Sequence, residues 1–262
     1  MIALRHRALG SLYWLLAAYL LLPLIFMEVM GLKDGAYIGL PIRSWTLKWF
    51  AEALADPELR AAFVYSMKVA LWSTVIAAVT GVWTALALQH VQGWKRGLAF
   101  ALICLPMVVP SIINAIGLRI FTQSIGLAAG TGPLVLGLAS QGVPVVVLMV
   151  TVRLATLPRS QIEAARDLGA GPITAFRRVT LPWIRPAVLA AALFTALSSF
   201  DDFVRAIFLS GYEQTMPVLL YAKLTKGISP LLPAIATLIV LFSLLLGLVG
   251  DRITRSMPRR QT

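Results

Sequence analysis

Long apolar runs separated by short polar segments dominate the chain. Six runs reach or approach the roughly 20 residues a helix needs to cross the hydrocarbon core of a bilayer: residues 12–30, 65–88, 98–121, 134–152, 187–209 and 231–250. The pattern predicts an all-α integral membrane protein with six transmembrane helices. It divides into a first helix and loop over 1–64, a helical body over 65–250 and a basic tail over 251–262. The first run follows Arg5 and Arg7 as a signal peptide would, but it is too long and lacks a small-x-small cleavage site, so it reads as a retained span. After it, SWTLKWFAEALADPELRAAF predicts one amphipathic helix on the membrane surface, with Trp45 and Trp49 at interface depth. Pro106 and Pro110 remove backbone donors from the third span, and Gly137, Gly142 and Pro144 soften the fourth, so both expect neighbouring helices.

The longest polar interruption between the later spans is SQIEAARDLGAGPITAFRRVTLP, Ser160 to Pro182. Ser160 and Glu163 stand in capping-box relation, which predicts a helix starting at Gln161. Ile162, Ala165 and Leu168 give that helix one apolar face, and Gly169 stops it in a left-handed conformation. Pro172 suits the first turn of a second helix carrying Ile173, Phe176 and Val179, which Pro182 ends. Two uses fit such a pair: a bracket packed on the inner ends of its own spans, or a plug for a groove on another protein.

Composition sharpens the membrane reading: 59% of residues are hydrophobic and 13% charged, and the mean hydropathy is +0.84. The net charge of +12 does not indicate nucleic acid, because the basic residues lie between apolar runs and are not gathered in one patch. Their distribution gives a topology instead. With the N-terminus inside, 14 Lys and Arg fall on the inner side and 6 on the outer, while Lys68, Arg119 and Arg205 lie within spans. Both termini and the 160–182 element are therefore expected in the cytoplasm. Cys104 is the single cysteine, no Cys/His cluster suggests a metal, and no G-x4-GK[ST] loop is present to hold nucleotide phosphates. His6 and His90 both fall outside the spans, which leaves an intramembrane enzyme without a base and no catalytic residue to name.

The fifth span carries charge where charge is costly. Asp201 and Asp202 lie about 14 and 15 residues from its inner end, past the midplane at 1.5 Å per residue. An ionised Asp near the bilayer centre costs about 2.5 to 3.5 kcal/mol, so neither should face lipid. Asp201 and Arg205 are four residues apart and are expected to pair along one helix face. Asp202, with Ser198 and Ser199 as local partners, is the candidate for a translocation cavity, and Arg119 in the third span is a further partner for it.

The stretch EAARDLGAGPITAFRRVTLP resembles the EAA-x3-G-x9-I-x-LP signature of permease subunits of binding-protein-dependent ABC importers. Glu163, Ala164, Ala165, Gly169, Leu181 and Pro182 match it, and Val179 replaces isoleucine. The resemblance implies a MetI-like type I ABC permease fold with the 160–182 element as a cytoplasmic coupling helix. It also implies an inner (plasma) membrane location and an ATP-binding subunit dimer that holds ATP and Mg, this chain holding no cofactor. A second, non-identical permease and an extracytoplasmic solute-binding protein complete the expected assembly, with lipid around it. SSFDDFVRAIFLSG and Met216–Pro217 are similar to the spermidine/putrescine subgroup, which implies a polyamine passing Asp201, Asp202, Ser198 and Arg119. Permeases for iron, phosphonate or amino-acid-like solutes are alternatives within the class. An ATP-independent secondary transporter is the alternative outside it.

Overall fold

The computed structural model describes residues 2–35 and 37–255; of the basic tail, residues 256–262 lie outside the described residues. The described chain is helical, with one isolated bridge, Lys33 to Trp45, closing a loop. In chain order the helices are α1 (Ile2–Gly31), α2 (Lys48–Ala55), α3 (Pro57–Ala87), α4 (Trp94–Val108), α5 (Ser111–Ser124) and α6 (Thr131–Ala155). They continue with α7 (Arg159–Asp167), α8 (Pro172–Ala175), a π-helical turn (Phe176–Thr180), α9 (Leu181–Phe200), α10 (Phe203–Leu209), α11 (Met216–Lys226) and α12 (Leu231–Arg255). Five described helical segments are long and apolar enough to cross a membrane, and α4 and α5 are so only taken together, as a pair bent by 100°.

The bend corrects the expectation of one continuous third span. Val109 is extended, with φ −68° and ψ 129°, because the ring of Pro110 excludes the residue before it from helical geometry. Pro110 has no N–H to continue the ladder, and α5 restarts when Asn114 N donates to the Pro110 carbonyl at 3.0 Å. Pro106, by contrast, stays inside α4. The surface helix expected over residues 44–63 is also divided. Asp56 accepts from Glu58 N at 2.8 Å and from Leu59 N at 3.4 Å, capping a new helix that opens on Pro57. Only α2 remains of the surface helix, and the second span begins at Pro57.

The chain falls into two compact units. One joins Met1–Arg60 to Leu220–Leu244. Within it a Cβ on Gly31 would lie 2.9 Å from Ala234 N, so glycine permits α1 and α12 to touch backbone to backbone. Lys223 Nζ in α11 donates to Asp56 Oδ2 at 3.1 Å and to Glu58 Oε2 at 3.0 Å. Trp49 Nε1 donates to the Lys33 carbonyl at 3.0 Å, seating α2 on the loop.

The other unit, Ala61–Leu219 with Leu245–Thr262, is organised on α6, which packs against α4, α5, α9 and α10. Ala77 and Ala85 of α3 meet Val146, Val147 and Val150 of α6 and Ile184 and Ala191 of α9 in one core cluster. Tyr65, Val69, Leu134, Leu138, Ala206 and Leu209 form a second. Lipid tails are as apolar as these side chains, so close packing and not burial from water holds such helices together. Gly137 and Gly142 leave α6 continuous, contrary to the softening expected. They act as contact points: a Cβ on Gly142 would stand 2.5 Å from Thr195 Cγ2.

Candidate functional site: a corner and an acidic joint

Two features of the α6-centred unit carry the candidate residues. The first is the corner between α7 and α8. Its helix starts at Arg159 with Pro158 as N-cap and no side-chain cap, so the Ser160 capping box does not form. The rigid φ of Pro158 starts the helix early, with Gln161 N donating to the Pro158 carbonyl at 3.1 Å, which puts Ser160 inside the first turn. The end follows expectation. Gly169 takes φ +80°, its N–H reaches the Arg166 carbonyl at 2.8 Å and that of Ala170 reaches the Ala165 carbonyl at 2.9 Å. These are the two bonds of a Schellman motif.

Pro182 does not end the second helix. Leu181 N bonds the carbonyl of Phe176, five residues back, and the wider turn carries the chain past Pro182 into α9 without a break. Residues Pro172–Phe200 thus form one 29-residue helical segment. At the corner Leu168 is 89% exposed and Ile173 75% exposed. Glu163 and Ala164 are exposed, Ala165 is half-buried, and no residue of α7 is buried. Behind the corner Ala164, Ala165, Val179, Leu181 and Pro182 help to line a groove of about 920 Å³ with Arg153, Arg178 and Arg185 on its walls. Arg153 is fixed there, donating from Nε to the Trp183 carbonyl at 3.1 Å.

The second feature is a break in the expected fifth span. α9 stops at Phe200 and α10 starts at Phe203, leaving Asp201 and Asp202 at the joint. Asp202, not Asp201, pairs with Arg205, and the helical break is the reason. Asp202 takes the N-cap position, where Oδ1 accepts from Arg205 N at 2.7 Å and Oδ2 from Arg205 Nη1 at 2.6 Å. Arg205 is 1% exposed and Asp202 13%. Nε and Nη2 of Arg205 have no hydrogen-bond partner among the described residues. Asp201 is exposed and takes part in no ion pair among the described residues. Arg119 is not brought to Asp202; it lies half-buried on α5, and its Nη1 is without a hydrogen-bond partner among the described residues.

Asp202 and Ser198 line a cavity of about 150 Å³ with Ser199, Thr195 and Gln141. Gln141 and Thr195 escaped the sequence reading, although a glutamine inside the apolar run GLASQGVPV was a signal for them. No group of three or more His, Cys, Asp or Glu among the described residues could hold a metal.

A family model described as "binding-protein-dependent transport system inner membrane component" matches residues 77–262. The chain belongs to that family. It is 29% identical to the spermidine/putrescine transport system permease protein PotC of Escherichia coli, over 97% of this chain and 96% of the relative. It is 31% identical to the putrescine transport system permease protein PotI of the same organism, over 85% of this chain and 82% of the relative. Among solved structures, a bacterial ABC transporter that imports the acidic polysaccharide alginate superposes with a TM-score of 0.72 at 18% identity, covering 97% of this chain and 96% of that one. The inward-facing MetNI methionine ABC transporter gives 0.66 at 21%, covering 78% and 100%. The fold is thus that of the MetI-like permeases. The chain is the permease subunit of an ABC importer, an integral component of the inner membrane, which sets aside the ATP-independent carrier.

Proposed function

We propose that this permease conducts a cationic solute of the polyamine class, driven through its α7–α8 corner by a separate ATPase pair. The observation that carries the solute reading is Asp201, an exposed carboxylate without an ion-pair partner among the described residues, at a break in a membrane span. A charge at that depth is too costly to leave in lipid, so its exposed side faces the second permease or the pathway between them. An ammonium group passing there meets a negative charge that lowers its own cost of leaving water. Spermidine and putrescine, the solutes for which the two Escherichia coli relatives are named, are of this kind.

Exposure of Leu168 and Ile173 favours the plug over the bracket, since a bracket would bury its apolar side chains on its own spans. Glu163, Ala164, Ala165 and Gly169 present the corner to the ATPase, and Val179, Leu181 and Pro182 back it. ATP and Mg belong to that partner, and the chain itself is not an enzyme. A second, non-identical permease and an extracytoplasmic binding protein complete the assembly, and both termini lie in the cytoplasm.

The test is Asp201→Asn in cells that depend on the importer. Putrescine uptake should fall at least tenfold while membrane abundance stays within twofold. Unchanged putrescine uptake would reject the cationic pathway.

A further inference from the structure

Two adjacent carboxylates at the joint suggest a doubly negative site, but the geometry divides them. Asp202 spends one oxygen on capping α10 and the other on the guanidinium of Arg205, whose contact is 2.6 Å. The guanidinium of Arg205 is 1% exposed and held against Asp202, so its positive charge is part of the joint. Asp201, Asp202 and Arg205 therefore sum to one negative charge.

We propose that Arg205 is a positioning residue that sets this charge, so that a passing polycation is engaged through one ammonium group at a time. The inference rests on the cationic reading of the pathway. Two free carboxylates would hold a diamine by both charges in a medium where each pair is strong, and a solute held that way leaves slowly. With one neutralised, the joint attracts without trapping, as conduction requires sites weak enough to leave.

The test uses the complete importer in membrane vesicles, supplied with its binding protein and putrescine, with turnover counted per assembled permease. Arg205→Met leaves two carboxylates and should lower turnover about tenfold. Arg205→Lys should restore it to within threefold, and so should the pair Arg205→Met with Asp202→Asn, which returns the joint to one negative charge. KM should stay within twofold throughout, because capture by the binding protein sets it. A purely structural ion pair would instead change the amount of assembled permease and leave turnover per molecule unchanged. That result overturns the proposal, as does a double variant that assembles normally yet stays as slow as Arg205→Met. If Arg205→Met itself fails to assemble, Arg205→Gln, which keeps a hydrogen-bond donor but no charge, takes its place: a tenfold loss of turnover per assembled permease supports the proposal and unchanged turnover rejects it. Full turnover in Asp201→Asn would show that the cationic reading has failed, and it is read independently of the Arg205 series.

Discussion

Asp202 and Asp201 differ by one position and carry opposite burdens. Removing the charge of Asp202 leaves the buried Arg205 guanidinium unpaired, and breaking a buried pair from one side costs about 3 to 5 kcal/mol. Asp202→Asn should therefore reduce abundance and lower the unfolding midpoint in detergent. Asp201→Asn, which removes an exposed charge with no ion-pair partner among the described residues, should leave both near wild type. The measurement that separates them is quantitative membrane blotting beside thermal unfolding; equal losses would contradict the assignment of the pair. The sequence made both aspartates conspicuous and placed Asp202 on a cavity, which it lines with Ser198, but it assigned the arginine to the wrong one. Spacing of four residues pairs Asp201 with Arg205 only in an unbroken helix. A helical break at an Asp-Asp step substitutes cap geometry, in which the residue three before the arginine wins. Such a break was hard to read because no proline or glycine marks the spot.

At the scale of elements, local chemistry was legible wherever one residue dominates and illegible where two compete. Gly169 took the left-handed corner expected of it, and Pro172 opened α8 as expected. Ser160 lost its cap because Pro158, two residues earlier, starts the helix first. Pro182 failed to stop a helix because a π-helical turn before it absorbs the proline. Since no atom beyond its chain neighbours lies within 4 Å of a Cβ at Gly169, a substitution there meets only backbone strain, about 1 to 2 kcal/mol for a left-handed residue. Gly169→Val should leave the permease inserted and abolish uptake by misaligning Leu168 and Ile173. Normal putrescine-stimulated ATP hydrolysis by the co-purified ATPase would refute the coupling role. In α6, Gly142→Leu should cost several kcal/mol by forcing the helix off Thr195 and Ala77, read as loss of folded protein in detergent.

For the whole molecule, the apolar pattern located the helical segments but not the start of the second or the breaks in the third and fifth, and the family resemblance came from one polar loop, whereas the grouping of distant segments did not follow from pattern. Lys223 reaches back to Asp56 and Glu58, more than 160 positions away, and no periodicity announces a pairing of that range. Burial opposes ionisation of both Asp56 and Lys223. For Asp56 the Lys223 hydrogen bond and the N–H groups of Glu58 and Leu59 outweigh it, holding the carboxyl below its ordinary 3.8. For Lys223 the bonds to Glu58 and Asp56 outweigh it, raising the amine above its ordinary 10.5. The Asp56 contribution is complete above the unfolded carboxyl value and is lost as pH falls through the lower folded one. The Lys223 contribution is complete below the unfolded amine value and is lost as pH rises through the higher folded one. Stability from the clamp should form a plateau between the two. Lys223→Met should lower that plateau by about 1 kcal/mol or less, given the partial exposure of the pairs, and should flatten its acid edge. Unfolding midpoints across pH would show a wild-type acid edge in the variant if the clamp is idle.

The π-helical turn also has a consequence for timing between the two ends of one rod. Pro172–Phe200 begins at the corner and ends at the joint, 29 residues away, about 43 Å at the usual rise. Under the proposed coupling, its register would fix the angle at which a push on the first end emerges at the second. Deleting Arg177 from the wide turn would return it to ordinary helix and keep the corner on its face, whereas deleting one residue from the regular helix of α9 would turn the corner by about 100° around the rod axis relative to Asp201. Span, corner and carboxylate would all survive, but the stroke would arrive facing the wrong way.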